Sequence, residues 1–106
     1  MEFEMISPSD VKKYLHQEDV LIIDLRDYDE YVSGHIEGAI HLPYEKLQDQ
    51  GMFPMDMVLL LYCDRGAASL SAARELSQQG YQVKTLAGGM RAYRSFNILT
   101  ERGVTH

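Results

Sequence analysis

A chain of 106 residues, 45% hydrophobic and 25% charged, can bury one core and is too short to hold a second catalytic domain beside it. Its net charge of −6 works against a nucleic-acid partner, which needs a basic stripe to neutralise phosphates, yet a small anion held by local donors remains compatible with it. One cysteine excludes an internal disulfide and a cysteine-rich zinc site, and His16, His35, His41 and His106 are too scattered to pair on one helix face, so neither metal nor cofactor is expected.

No apolar run approaches the length of a membrane span. Met1 to Ile6 mixes two glutamates with apolar residues, unlike a basic-then-apolar leader. The expectation is a cytoplasmic protein without membrane contact, in a reducing compartment where the lone thiol stays free.

Ser7-Pro8-Ser9-Asp10 combines an N-cap serine, a proline at the first helical position and an acid in the first turn. It introduces a helix to about Gln17 with Val11, Tyr14 and Leu15 on one face. Val20 to Ile23 is a continuous apolar run of the kind found in strands buried on both faces, ended by Asp24. Asp27-Tyr28-Asp29-Glu30 has the form of a capping box, and Tyr28, Tyr31 and Val32 give the short helix behind it an apolar face before Gly34 stops it.

Ala39 to Leu42 reads as a brief strand closed by Pro43, Tyr44 to Leu47 as a helical turn, and Asp49 to Pro54 as a loop. Val58 to Tyr62 is the strongest strand. The helix after it carries Leu70, Ala72, Ala73 and Leu76 at helical spacing and ends at Gly80. Tyr81 to Leu86 returns as a strand, Gly88-Gly89 breaks it, and Met90 to Phe96 forms a last helix. Residues 1–106 therefore read as a single domain with a core over about 7–96 and a loose tail over 97–106. Strands alternating with helices give the class α/β, a central parallel sheet flanked by helices.

In such sheets ligands collect beyond the carboxyl ends of the strands. Three of those ends carry unusual residues: Asp24 with Arg26, the loop opening at Cys63, and Gly88-Gly89. If the strands are parallel neighbours the three converge, although Asp24 and Arg26 also suit a structural ion pair and the glycines a plain turn. The loop Cys63-Asp64-Arg65-Gly66-Ala67-Ala68-Ser69 does not continue a strand, and its small residues allow a tight curl that turns N–H groups inward as an anion cradle. A helix N-terminus beside Arg65 is a setting that favours a thiolate, with Ser69 capping the helix start. The competing reading makes Cys63 the last buried residue of a core strand.

Asp24-Leu25-Arg26, Glu30-Tyr31, Gly34-His35-Ile36-Glu37-Gly38-Ala39 and Leu42-Pro43, followed by the Cys63 loop with Gly66 and by Leu86-Ala87-Gly88-Gly89-Met90, resemble in type and order the rhodanese-homology family of sulfurtransferases over about Ser7 to Phe96. The resemblance implies a compact α/β domain, Cys63 at the bottom of a small pocket, and sulfur transfer through a Cys63 persulfide. In that reading Asp64 to Ser69 bind the substrate through backbone N–H groups, and Arg65 draws the oxygens of a small anionic donor such as thiosulfate. The acceptor is cyanide or a thiol, and a protein donor or acceptor is also compatible.

Two departures from the family pattern stand out. Ala68 occupies a place where a second arginine often stands, leaving Arg65 the loop's only cation, and no tryptophan follows the glycine pair. Phosphatases of the same fold carry an arginine six residues after the cysteine; here that residue is Ser69, so a phosphoryl group would lack its charge clamp. The alternatives to an enzyme are a non-catalytic binding module and a persulfide carrier fed by a protein donor. Asp24 and Arg26 are assigned to structural support, with Arg26 lining the pocket as the alternative, and His35 to a backbone hydrogen bond in a tight turn.

Overall fold

The apolar run Val58–Tyr62, with no polar residue before its terminal tyrosine, can only be satisfied at the centre of a sheet covered on both faces, and that is where it lies. The structure, a computed structural model, describes residues 3–49 and 53–105, with side chains through Asn97. Five strands, β1 (Glu4–Ile6), β2 (Val20–Asp24), β3 (Ile40–His41), β4 (Val58–Tyr62) and β5 (Gln82–Leu86), form one sheet in the order β1-β5-β4-β2-β3. Every pairing is parallel. The helices are α1 (Tyr28–Ser33), α2 (Ala67–Gln78) and α3 (Gly89–Thr105), with 3-10 turns at Pro8–Lys13 and Tyr44–Asp49. The expected α/β class, a parallel sheet flanked by helices, is the observed one.

Alternation along β4 assigns its residues to two cores. Leu59 and Leu61, with Cys63 continuing their parity, pack with Ile23, Val83, Ala72, Ala73 and Leu76 on the α2 side. Leu60 and Tyr62 face the other way, against Ile22, Ile36, Leu86 and Met90. The register sets Asp24 of β2 directly beside Tyr62 of β4, and Leu61 beside Thr85 of β5. The ends of β2, β4 and β5 therefore converge on one edge. From β2 the chain moves outward to β3, and from β4 it moves the opposite way to β5, which makes the β2/β4 boundary the switch point of the sheet.

At that boundary the Asp24 carboxylate is fully buried and completely used. Arg26 donates to it from Nε (3.0 Å to Oδ1) and Nη2 (2.8 Å to Oδ2), and the Arg26 backbone N–H adds a bond of 2.9 Å. Tyr62 donates its hydroxyl at 2.7 Å and accepts the Ile36 N–H at 3.0 Å. Arg26 Nη2 also reaches the Gly34 carbonyl at 2.7 Å, tying the end of α1 to the sheet. Burial alone would lower the Arg26 pKa, but the bonds and charge of Asp24 outweigh it and hold the guanidinium above its ordinary value. His41 Nε2 lies 2.7 Å from the Arg26 carbonyl and His35 Nδ1 2.8 Å from that of Tyr31, so His35 makes the backbone contact expected of it.

Several boundaries differ from the sequence reading. Strand β1 was not anticipated: it is a three-residue edge strand in which only Ile6 is buried, too little apolar pattern to register. The helix expected to Gln17 is a 3-10 segment ending at Lys13, because Val11 is its one buried residue and the chain leaves through His16 at a positive φ of 63°. The loose tail expected after Phe96 is corrected as well, since α3 runs on to Thr105. Nothing between Phe96 and Gly103 stops a helix. Of the expected loop Asp49–Pro54, residues 50–52 lie outside the described residues.

Two stability measurements follow. Asp24→Ala leaves the buried Arg26 guanidinium unpaired and is expected to cost about 3–5 kcal/mol in urea unfolding. Burial raises the Tyr62 phenol well above its ordinary pKa, aided by Asp24, so the folded state favours the neutral phenol. That contribution is present below the unfolded tyrosine range, about pH 10, and is lost as pH rises past it. Tyr62→Phe should therefore flatten the alkaline fall in stability while costing about 1–3 kcal/mol at neutral pH through the lost partners of Asp24 and Ile36. An equal alkaline slope in both proteins would show that Tyr62 does not titrate with unfolding.

Candidate functional site

Cys63 is the first residue beyond β4, on the α2 side of the sheet, and is 7% exposed. The chain reverses at once into α2. Gly66 makes this reversal with φ 108°, a left-handed conformation that costs a side chain dearly, and serves as the N-cap of α2. The Gly66 N–H points back and donates to Cys63 Sγ at 3.0 Å. The first-turn N–H groups of α2, at Ala67 to Ser69, have no intrahelical acceptor and present the positive end of the helix dipole to the same region.

The other side of the loop is held by the third strand end. Met90 N–H donates to the Cys63 carbonyl at 2.8 Å and Arg91 N–H to the Asp64 carbonyl at 3.1 Å, so the start of α3 engages both carbonyls. This approach requires glycine at position 89, which has φ 65° and whose Cβ would lie 2.5 Å from each of those oxygens. The Gly88-Gly89 pair is thus a clamp on the cysteine loop as well as a turn.

Beneath the sulfur lies a small polar set. The Cys63 thiol donates to Ser69 Oγ at 3.6 Å, and Ser69 donates to the Gly66 carbonyl at 3.1 Å and lies 3.4 Å from Thr85 Oγ1. Ser69 is the third residue of α2 and fully buried, not the helix cap expected of it, because the helix starts at Ala67 with Gly66 as its cap. The Thr85 contact had no sequence signal, since it depends on the register of β5 against β4.

A cavity of about 290 Å³ opens above Cys63 at the β2/β4 switch point, lined by Leu25, Arg26, Asp27, Glu30, Cys63, Asp64, Arg65, Ala67 and Ala68. The structure thus brings Cys63, Asp64, Arg65, Ala67 and Ala68 to one cavity, with Gly66 and Ser69 buried behind its wall. Arg65 is 75% exposed at the lip, 3.8 Å from Asp64. Arg26 contributes to the wall while engaged by Asp24.

Asp27 and Glu30 were missed as wall residues. They read as a capping box, but Asp27 stands at the N-cap of α1 without a side-chain cap bond. Both residues line the cavity, with Glu30 near enough to Arg26 to act on its charge.

This architecture agrees with known proteins. The rhodanese-like domain family matches residues 7–96. Thiosulfate sulfurtransferase GlpE of Coxiella burnetii is 33% identical over 97 residues, 90% of this chain and 91% of that protein. A tRNA sulfurtransferase of Desulfurococcus amylolyticus is 42% identical over 77 residues, 73% of this chain, which spans only 15% of that longer protein. A rhodanese-like domain protein from Staphylococcus aureus superposes with a TM-score of 0.77 at 26% identity, covering 86% of this chain and 91% of its own.

The clamp is testable without any assumption about activity. Gly89→Ala is expected to lower stability by about 1–3 kcal/mol through the left-handed backbone and the clash with the loop carbonyls. It should also change the rate at which iodoacetamide alkylates Cys63, the only thiol in the chain. A variant with both quantities unaltered would show that α3 does not fix the loop.

Proposed function

The chain belongs to the rhodanese-like domain family, and from that premise we propose that it is a sulfurtransferase working through a persulfide on Cys63, taking a sulfane sulfur from a donor such as thiosulfate and passing it to cyanide or a thiol. The observation that carries this reading is the seat of the chain's only cysteine: at the floor of an open cavity, with the Gly66 N–H 3.0 Å from its sulfur.

In the first half-reaction the Cys63 thiolate attacks the outer sulfur of thiosulfate. The S–S bond of the donor breaks, sulfite leaves with the bonding pair, and Cys63 becomes a persulfide. In the second, the acceptor attacks the outer persulfide sulfur and the Cys63 thiolate leaves. Negative charge grows on Cys63 Sγ as that bond breaks, where the Gly66 N–H and the first turn of α2 favour it. Two half-reactions on one nucleophile give ping-pong kinetics. Arg65, exposed at the lip, is the group that reaches the sulfonate oxygens of an anionic donor, and Asp64 beside it works against that attraction.

Supporting this over phosphoryl transfer is the identity of the residue six positions after the cysteine. Ser69 is buried against Thr85 and supplies no positive charge. A reducing cytoplasm suits a lone thiol that must stay available, and no helix among the described residues is long and apolar enough to cross a membrane.

The deciding experiment incubates the reduced protein with thiosulfate, removes the donor, and records intact mass before and after a cyanide chase. The expected result is a gain of one sulfur that cyanide removes, absent in Cys63→Ser. No adduct with thiosulfate, but one with a persulfidated protein donor, would identify a carrier; no adduct with either would identify a binding module. Arg65→Ala is expected to raise the half-saturating thiosulfate concentration about threefold while persulfide formation survives, the modest size following from its exposure.

A further inference from the structure

The mouth of the Cys63 cavity carries the wrong charge for a site devoted to small anions. Three carboxylates, Asp27, Glu30 and Asp64, line it against two arginines, and one of those, Arg26, is already neutralised by the buried Asp24. Arg65 is the remaining cation and leans toward Asp64 at 3.8 Å. Asp27 and Glu30 have no salt bridge among the described residues, although Glu30 lies near enough to Arg26 to help hold its charge, and Asp27 forgoes the helix-cap bond its position offers. The α2 terminus adds about half a positive charge, less than a single carboxylate carries. The lip is net negative, and it surrounds a sulfur that is itself an anion in the thiolate and persulfide states.

We propose that this cavity is cation-selective: the thiol partner that discharges the Cys63 persulfide bears a positive charge next to its sulfur, and Asp27 and Glu30 are the residues that select it. This rests on the persulfide reading above. The step is the attack of the partner's thiolate on the outer persulfide sulfur. The S–S bond breaks, the pair returns to Cys63 as thiolate, the partner leaves as a persulfide, and its thiol proton has gone to solvent. Leu25, Ala67 and Ala68 supply an apolar wall for the partner's methylene groups, and the carboxylates meet its ammonium or guanidinium. The same field works against thiosulfate, with only Arg65 to offset it.

One uncompensated charge at the lip of a partly desolvated cavity is enough for about fivefold discrimination. Because Cys63 is the only cysteine, charged thiol reagents read that field directly and need no turnover. Labelling rates are measured with 2-aminoethyl and 2-sulfonatoethyl methanethiosulfonate, each of which transfers its thioalkyl group to the thiolate and releases methanesulfinate. Relative to the same pair on 2-mercaptoethanol, Cys63 is expected to favour the cationic reagent by about fivefold at low salt, declining toward the reference at about 1 M.

Asp27→Asn with Glu30→Gln should lower that preference about threefold, while Asp19→Asn, at the opposite end of the sheet, should leave it unchanged. Equal or inverted labelling, or a preference untouched by the double variant, overturns the proposal. A cationic preference in a protein that forms no persulfide would instead retire the sulfurtransferase reading and leave the selectivity standing. With the persulfide formed, discharge by cysteamine and by a lysine-flanked cysteine peptide, compared per thiolate, separates a free aminothiol from a thiol on a basic protein segment. A glutamate-flanked peptide reacting as fast as the lysine-flanked one counts against selection.

Discussion

Everything at the carboxyl edge of the sheet hangs on the Asp24 carboxylate. Five contacts converge on its two oxygens from Arg26 and Tyr62, all inside a region closed to solvent. A buried ion pair of this kind contributes little net stability, because desolvating two charges costs about as much as their attraction returns. What it contributes here is position. Arg26 reaches across to the Gly34 carbonyl and Tyr62 to the Ile36 N–H, so the segment after α1 is fixed to β2 and β4 at once. The loop leaving β2 then forms one wall of the cavity, and the loop leaving β4 forms its floor.

Tyr62 and Cys63 divide this work between the two faces of the sheet. They are sequence neighbours, so the pleat sends the tyrosine toward Asp24 and the cysteine toward α2. The phenol locks the strand end in place from one side while the thiol is presented on the other. The loop is then gripped from a third direction by α3, whose first N–H groups take the Cys63 and Asp64 carbonyls. A loop of small residues would sample many conformations alone; anchored at β4, α2 and α3 it has few left. The Gly66 N–H is thereby held on the sulfur in advance of any reaction.

Sequence reading recovered these parts unevenly, for physical reasons. Val20 to Ile23 and Val58 to Tyr62 were visible because strands buried on both faces need continuous apolar runs, whereas Tyr81 to Leu86 carries Gln82 and Lys84 between its buried residues and stands out as a short segment between Gly80 and Gly88-Gly89. The three unusual strand ends were visible because Arg26, Cys63 and Gly88-Gly89 interrupt those runs abruptly. β1 was invisible, since an edge strand with one buried residue leaves no pattern.

The roles of Asp27 and Glu30 were concealed by a motif that describes them equally well. S/T/D-x-x-E spacing states which residues flank a helix start, and whether the side chains close the cap depends on tertiary surroundings. Ser69 was misplaced for a related reason: the loop's small residues support a helix start at Ala67 or Ser69, and the left-handed turn at Gly66 decides between them. Its contact with Thr85 depends on strand register, which no local signal encodes.

The charge of the cavity follows from the same geometry. Arg26 looks like a ready cation for an anionic substrate, standing on the wall above the cysteine, yet its charge is committed to Asp24 before any ligand arrives. Withdrawing it to bind a donor would strand a carboxylate with no access to water, a cost of several kcal/mol that a screened contact with a small anion does not return. The cation that anchors the fold is therefore unavailable to the chemistry. The position where a second loop arginine often stands holds Ala68, and Arg65 is left to face Asp27, Glu30 and Asp64 alone. A site so arranged neutralises anionic sulfur through backbone N–H groups close to Cys63, while its rim discriminates by charge in the opposite sense. The two act at different depths: the amides on the atom that reacts, the carboxylates on whatever carries it in.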